Sequence, residues 1–237
     1  MYIPEITTDL RKDSIQVPEI IKEHASGIKI FGKKIKSFVF TTDIAIIQNN
    51  NADAIIAVYP FTPHPSITQA ITTVAQVPVF CGVGGGLTNG NRAANIALHA
   101  EFQGVVAVVL NATAPVETVK LVKNAVDIPI TMTIVSPFTN IAERLDAGAT
   151  ILNVSGGRKT AEIVRKIRKE FPYIPIIATG GPTDADILET IEAGANAITY
   201  TPPSNAELFK KKMDHYREIE NNRNEEKKNE NISNVTT

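Results

Sequence analysis

Eight short apolar runs recur along the chain, and seven of them fall into two alternating kinds. Three begin with proline between β-branched residues: "VPVFCG" from Val77, "IPITMT" from Ile128 and "IPIIATGG" from Ile174. Around them stand "ADAIIAVYPF" from Ala52, "QGVVAVVLN" from Gln103, "AGATILNVSGG" from Ala147 and "AGANAITYTPP" from Ala193, with "IKSFVFTTD" from Ile35 ahead of all. Each run is apolar almost throughout rather than alternating, which is the pattern of a parallel strand buried on both faces. Proline at a strand entrance leaves one N–H missing where it costs little.

Helical patterns fill the gaps. In "KTAEIVRKIRKEF" (159–171), Ala161, Val164, Ile167 and Phe171 share a face while Arg165, Lys166, Arg168 and Lys169 meet water. In "TDADILETIEAGA" (183–195), Thr183 and Asp184 offer an N-cap and Gly194 a stop. Strand–helix alternation repeated eight times, at about 20–25 residues per unit, predicts one closed α/β (β/α)₈ barrel over 35–220. An open doubly wound sheet is the competitor; the paired rhythm favours closure. Residues 1–34 read as an extension, a short amphipathic helix and a hairpin around Gly32, capping the bottom of the barrel. After the last strand, "NAELFKKKMDHYREIENN" can form the eighth helix, and 221–237 read as a polar, disordered tail.

A formal net charge of −1 gives no electrostatic case for nucleic acid or an anionic membrane. The lone Cys81 excludes an intrachain disulfide framework, and "MYIPEITTDLRKDS" lacks the pattern of a signal peptide. A cytoplasmic protein acting on a small molecule is expected, with a homo-oligomer possible.

In such a barrel, chemistry sits at the carboxyl ends of the strands. Those ends carry Asp43 after the first strand, Tyr59 and His64 after the second, and Cys81 in the third, before the glycines of "GVGGGLTNGNR". Asn111, Ser136, Asn153 and Tyr200 follow on later units. Asp43 reads equally as a general base or a helix cap. His64 can act on a ligand or stand at the surface. Cys81 can be a nucleophile or fill the core, and Tyr200 can donate a proton or pack. Gly84, Gly85, Gly86 and Arg92 are expected to line the mouth, with Arg92 able to neutralise an anion. Asp43, His64 and Cys81 form no recognised ligand spacing, so no metal is expected. No lysine falls inside strands two to eight, which argues against a Schiff-base aldolase.

The loops "NVSGGRK" (153–159) and "IATGGPTDAD" (177–186) both run strand, small hydroxyl residue, Gly-Gly, helix. Glycine lets a backbone approach an anion, and the helix start directs N–H groups at it. Ser155, Gly156, Gly157 and Arg158, with Thr179, Gly180 and Gly181, are therefore expected to bind phosphate. "IPIIATGGPTDADILETIEAGANAITY" (174–200) resembles the seventh unit and eighth strand of aldolase-type, ribulose-phosphate-binding barrels. These include tryptophan- and histidine-pathway isomerases, thiamin phosphate synthase, keto-deoxy-phosphogluconate aldolase and several FMN oxidoreductases. The resemblance implies a phosphate between the loops after strands seven and eight, with Gly180 and Gly181 in contact. This chain departs from it after strand eight, where "TPPS" stands and prolines cannot donate. The expectation is thus an isomerase, lyase or hydrolase acting on a small anionic metabolite, phosphorylated by preference, without a cofactor. An FMN-dependent oxidoreductase and a non-catalytic ligand-binding barrel are the alternatives.

Overall fold

The computed structural model describes residues 4, 6–11 and 13–235, without the side chains of Leu10 and 224–235. Thr236 and Thr237, the end of the expected tail, lie outside the described residues.

A two-stranded antiparallel hairpin, β1 (Ile28–Ile30) and β2 (Lys33–Ile35), precedes eight parallel strands. These are β3 (Ser37–Phe40), β4 (Ala54–Ala57), β5 (Val79–Gly84), β6 (Ala107–Leu110), β7 (Ile130–Ile134), β8 (Ile151–Val154), β9 (Ile176–Thr179) and β10 (Ala197–Tyr200). They close as a barrel in sequence order, β10 pairing with both β9 and β3. Six lie within the apolar runs, and β5 and β7 run past theirs to Gly84 and Ile134. The helices are α1 (Glu19–His24), α2 (Ile44–Gln48), α3 (Pro65–Val74), α4 (Gly90–Phe102), α5 (Val116–Ala125), α6 (Ile141–Asp146), α7 (Thr160–Glu170), α8 (Asp184–Glu192) and α9 (Asn205–Val235).

Period-2 alternation sorts each strand into an outward and an inward set. Outward residues such as Ile130, Met132, Ile134, Leu152, Ile176 and Ile198 share one cluster with the helices. Inward residues stack in layers drawn from alternate strands, as barrel geometry requires. The strand register puts Ala54, Ala107, Ile151 and Ala197 in the lowest layer. Three alanines leave room there, and Ile28, Ile30 and Ile35 of the hairpin join the same buried cluster. Above lie Phe38, Phe80, Thr131 and Ile177, with the two rings edge to face at 4.8 Å. Such a pair adds about 0.5–1.5 kcal/mol beyond its burial. Ile56, Val109, Asn153 and Thr199 follow, then Phe40, Gly82, Thr133 and Thr179 at the mouth.

The segment ahead of the hairpin reaches the seam between β10 and β3. Ile21 of α1 is fully buried in the cluster that holds Ile187 of α8 and Ile198 of β10. Val17, just ahead of α1, is buried with Val39, and Tyr200 packs against both clusters. The N-terminal segment thus covers this seam. The barrel's compact unit ends at Pro202, and Pro203 onward is a second unit. Its helix α9 runs from Asn205 to Val235. Ser204 opens it: its hydroxyl and amide both bond Glu207, a reciprocal N-terminal cap.

Candidate functional site at the barrel mouth

The register divides the upper interior into two walls. Phe40, Ile56, Val58, Gly82 and Val109, from β3 to β6, make an apolar wall. Thr131, Thr133, Asn153, Thr179 and Thr199, from β7 to β10, make a hydroxyl and amide wall. None of these inward positions carries a charge. On the polar side the Asn153 amide donates to Thr133 Oγ1 at 3.4 Å, and the Thr179 hydroxyl donates to Ser155 Oγ at 3.3 Å. Two hydroxyls lower down, those of Thr131 and Thr199, have no partner among the described residues. They are 0% and 6% exposed, and a buried polar atom left unbonded costs about 1–3 kcal/mol.

A cavity of about 430 Å³ opens beside the apolar wall, between the loops after β4, β5 and β6. Its lining includes Val58, Tyr59, Phe61, Gly82, Leu87, Thr88 and Asn111. Tyr59 is the titratable side chain of that lining. Its hydroxyl accepts the His64 backbone N–H at 2.8 Å. Burial raises its pKa, with the nearby Cys81 adding to the rise and the His64 amide opposing it.

Of the expected mouth glycines, Gly84, Gly85 and Gly86 do line this cavity. Gly85 sits at φ 114°, and a Cβ there would stand 2.5 Å from Asn111 Cβ. Its N–H donates to Thr88 O and its carbonyl accepts from Thr88 N, closing the loop. The loop after β5 and Asn111 are therefore built as one surface. Arg92 is exposed on the first turn of α4.

Several expected catalytic residues are committed elsewhere. Asp43 is the N-cap of α2: one carboxylate oxygen accepts from Ala45 and Ile46 N–H at 2.8 and 3.2 Å. His64 is exposed and caps α3, its Nδ1 beside the Ser66 hydroxyl at 2.8 Å and amide at 3.3 Å. Cys81 does not look into the mouth, as expected of a nucleophile. Strand alternation turns it outward, 0% exposed, with its sulfur 3.3 Å from Thr68 Oγ1 of α3. Burial pushes its thiol pKa up, the Thr68 contact opposing, so the thiolate needed for attack is disfavoured. Tyr200 is likewise outward, packed in the helix layer. Ser136 accepts the Phe138 N–H and lines a separate depression of about 90 Å³ against α7, away from the mouth cavity.

The two Gly-Gly turns differ. At β9 the Gly180 amide donates to Thr199 O at 3.4 Å, and a Cβ at Gly181 would meet Asp186 Cβ at 2.6 Å. Thr183 and Asp186 close a reciprocal capping box over α8, whose first turn also holds Asp184. That helix start carries its own negative charge, which repels a second anion. At β8 the Gly156 amide donates to Thr160 Oγ1 and a Cβ there would meet Ile163, so this glycine serves packing. Gly157 is open, with nothing within 4 Å of a Cβ position, and Arg158 beside it is exposed. The structure thus brings Ser155 and Thr179 together, with Gly157 two residues after Ser155 in the loop. It does not bring Asp43, His64, Cys81 and Tyr200 together.

Sequence reasoning missed Thr131 and Thr199. The signal was present: in "ITMTI" and "AITY" they alternate with outward residues of buried strands. Among the described residues no cluster of three or more His, Cys, Asp or Glu side chains could hold a metal ion. Among them, too, no helix is long and apolar enough to cross a membrane.

The architecture is a closed (β/α)₈ barrel with hydroxyl and amide side chains at the carboxyl end. No protein-family model matches the chain, and no curated protein does. Solved structures do match. Phosphonopyruvate hydrolase, in complex with oxalate and Mg²⁺, shares 13% identity at a TM-score of 0.57, over 78% of this chain and 81% of that one. The 4-hydroxy-tetrahydrodipicolinate synthase of Methylacidiphilum fumariolicum shares 14% identity at 0.57, over 71% and 68%. The aldolase QR15 shares 20% identity at 0.50, over 62% and 76%. At these identities the likeness is one of fold.

Proposed function

We propose that this chain is a barrel enzyme of lyase or isomerase type that binds a small anionic metabolite, phosphorylated by preference, at its carboxyl mouth. The observation that carries the reading is the convergence of Ser155 and Thr179, 3.3 Å apart, with the open backbone of Gly157 and the exposed Arg158 following Ser155 in the same loop. Two hydroxyl donors, unshielded backbone and one guanidinium suit a phosphate or carboxylate. The anion is assigned here and not to Gly180–Gly181, because Asp186 occupies that turn. The neighbours in fold are named as a hydrolase, a synthase and an aldolase, which supports an enzyme reading. Among the described residues no inward strand position carries a lysine, which argues against a buried Schiff base. Tyr59, over the cavity, is the side chain placed to move a proton.

Titration calorimetry with inorganic phosphate tests the anion site. The native chain should bind, and Arg158→Gln and Ser155→Ala should each weaken binding about tenfold. Equal affinities in all three would sink the assignment. A metabolite panel assayed for turnover tests catalysis, and the colour of the purified protein reports a bound flavin directly. A second reading, a ligand-binding barrel without turnover, draws on one observation: Asp43 and His64 are spent on helix caps. Binding without turnover across the panel would select it.

A further inference from the structure

The cavity between the loops after β4, β5 and β6 has a chemistry unlike that of the Ser155–Arg158 loop. At about 430 Å³ it has room for a ring-sized group, and ligand pockets run from about 300 to about 1,000 Å³. Its lining, residues 58–63, 82, 84–88 and 111, carries no ionised side chain, so an ion placed there would lack a counter-charge. Two large apolar side chains of that lining stand in water, Phe61 77% exposed and Leu87 99% exposed. Single exposed apolar residues mean little, but these two sit on the rim of one cavity. Their loops are also tied together, Thr88 Oγ1 donating to Thr62 Oγ1 at 3.0 Å. On its other side the loop after β5 is held by two more bonds. Gly86 N–H donates to Thr113 Oγ1 at 2.7 Å, and Gly84 O accepts the Asn111 N–H at 2.9 Å. The register of β5 against β6 shifts between Gly82 and Gly84, a bulge of the kind that re-aims a strand end beside a site. Leu87 is thus held out in water by a bonded loop.

Tyr59 and Asn111 each bring a donor that is uncommitted among the described residues. The Tyr59 hydroxyl accepts the His64 N–H and keeps its own proton to give. Asn111 Oδ1 accepts the Ala112 N–H at 2.7 Å, which leaves the Nδ2 amide without a partner. We infer that this cavity binds an uncharged planar ring bearing a hydrogen-bond acceptor, such as an aryl ketone or a ring carbonyl. The ring lies against the aromatic side chains of Tyr59 and Phe61 and the side-chain-free backbone of 84–86, with Leu87 at its edge. A flat group gains most from such surroundings. Its acceptor takes the Tyr59 O–H and the Asn111 amide. Burial, which raises the Tyr59 pKa, keeps that proton in place. The inference rests on the reading above only in giving Tyr59 a proton to donate; the anion site at Ser155 and Arg158 is tested apart from it.

The test follows the Leu87 methyl and Asn111 side-chain amide resonances by NMR on the full chain. The probes are acetophenone, ethylbenzene, benzoate and inorganic phosphate. Acetophenone should move both signals and bind about fivefold tighter than ethylbenzene, which lacks the acceptor. Benzoate, similar in size but charged, should bind about tenfold more weakly than acetophenone. Tyr59→Phe should remove most of the preference for acetophenone over ethylbenzene. Leu87→Ser changes a side chain in full contact with water, so the fold survives it, and both neutral probes should weaken about threefold. The subsite is overturned if benzoate moves the two signals as acetophenone does, or if Tyr59→Phe keeps the full preference. It is overturned equally if Leu87→Ser, read at Asn111, binds as the native chain does, and this arm decides alone should Tyr59→Phe not fold. Phosphate should leave both signals in place. If phosphate moves Ser155 and Gly157 while the aromatic probes move nothing, the anion reading stands and the subsite falls. The reverse pattern keeps the subsite and removes the anion site.

Discussion

The Thr68 hydroxyl on α3 lies 3.3 Å from the Cys81 sulfur on β5, and both atoms are buried between helix and barrel. Strand alternation turns the chain's single thiol away from the mouth, and burial governs how it titrates, with this contact opposing. Burial raises the thiol pKa, so the folded protein holds the proton to higher pH than the unfolded chain, which releases it near pH ~8.5. The stability this gives is complete below that value and is lost as pH rises through the folded pKa. Urea midpoints measured between about pH 8 and about pH 10 should therefore fall less in Cys81→Ala than in the native chain. A parallel fall in both would show that the thiol ionises freely. Cys81→Ser should also keep ligand binding, and its loss would return Cys81 to the site.

Asp43 holds the start of α2 through two backbone amides. Asp43→Ala should cost about 1 kcal/mol of stability, and Asp43→Asn should recover most of it, because an amide oxygen still caps. The discriminating measurement is turnover in the Asn variant. Preserved activity identifies a cap alone, and activity lost at native stability identifies a base.

Gly85 and Gly86 are neighbours with different tolerances. Both have positive φ, 114° and 58°, but a Cβ at Gly85 meets Asn111 at 2.5 Å while one at Gly86 meets nothing within 4 Å. Gly86→Ala should cost about 1–2 kcal/mol, the left-handed penalty alone. Gly85→Ala should cost more and should shift Asn111 amide resonances, because backbone or side chain must yield. Equal costs in thermal unfolding would refute the close approach of the two loops.

Among the described residues Arg168 is bonded to carbonyl groups and not to a carboxylate. Its guanidinium donates to the carbonyls of Gly194, Phe171, Pro172 and Ile174 and to Asn196 Oδ1. It thereby ties α7 to the turns that lead into β9 and β10. Arg168→Met should cost about 2–4 kcal/mol, since several carbonyls lose a charged donor at once. Lysine should restore less than half, because one ammonium cannot span the fork. Full rescue by lysine in chemical denaturation would show that charge, not geometry, is what matters.

The barrel was legible because its signal is repeated. Eight runs of the "VPVFCG" and "AGATILNV" kinds demand burial on both faces, and only closure or a doubly covered sheet supplies it. The hairpin around Gly32 was readable for the same local reasons. The cover of the β10–β3 seam was not. A short amphipathic stretch such as "PEIIKEHA" looks no different in sequence whether it plugs an end or substitutes for a barrel helix. Which it does depends on where Ile21 finds Ile187 and Ile198, contacts spanning the whole chain.

The site divides along the same line. Local chemistry determined the caps at Thr183 and Asp43 and the hydroxyl-glycine turns at Ser155 and Thr179, since each acts within a few residues of itself. The direction of a strand residue is a property of register, so whether Cys81 and Tyr200 or Thr131 and Thr199 face the interior was decided only when the sheet closed. The sequence by itself determined eight units and the polar loops at their ends. The tertiary structure chose which hydroxyls meet on the barrel axis, because closure with a fixed stagger brings every second side chain of alternate strands to one level.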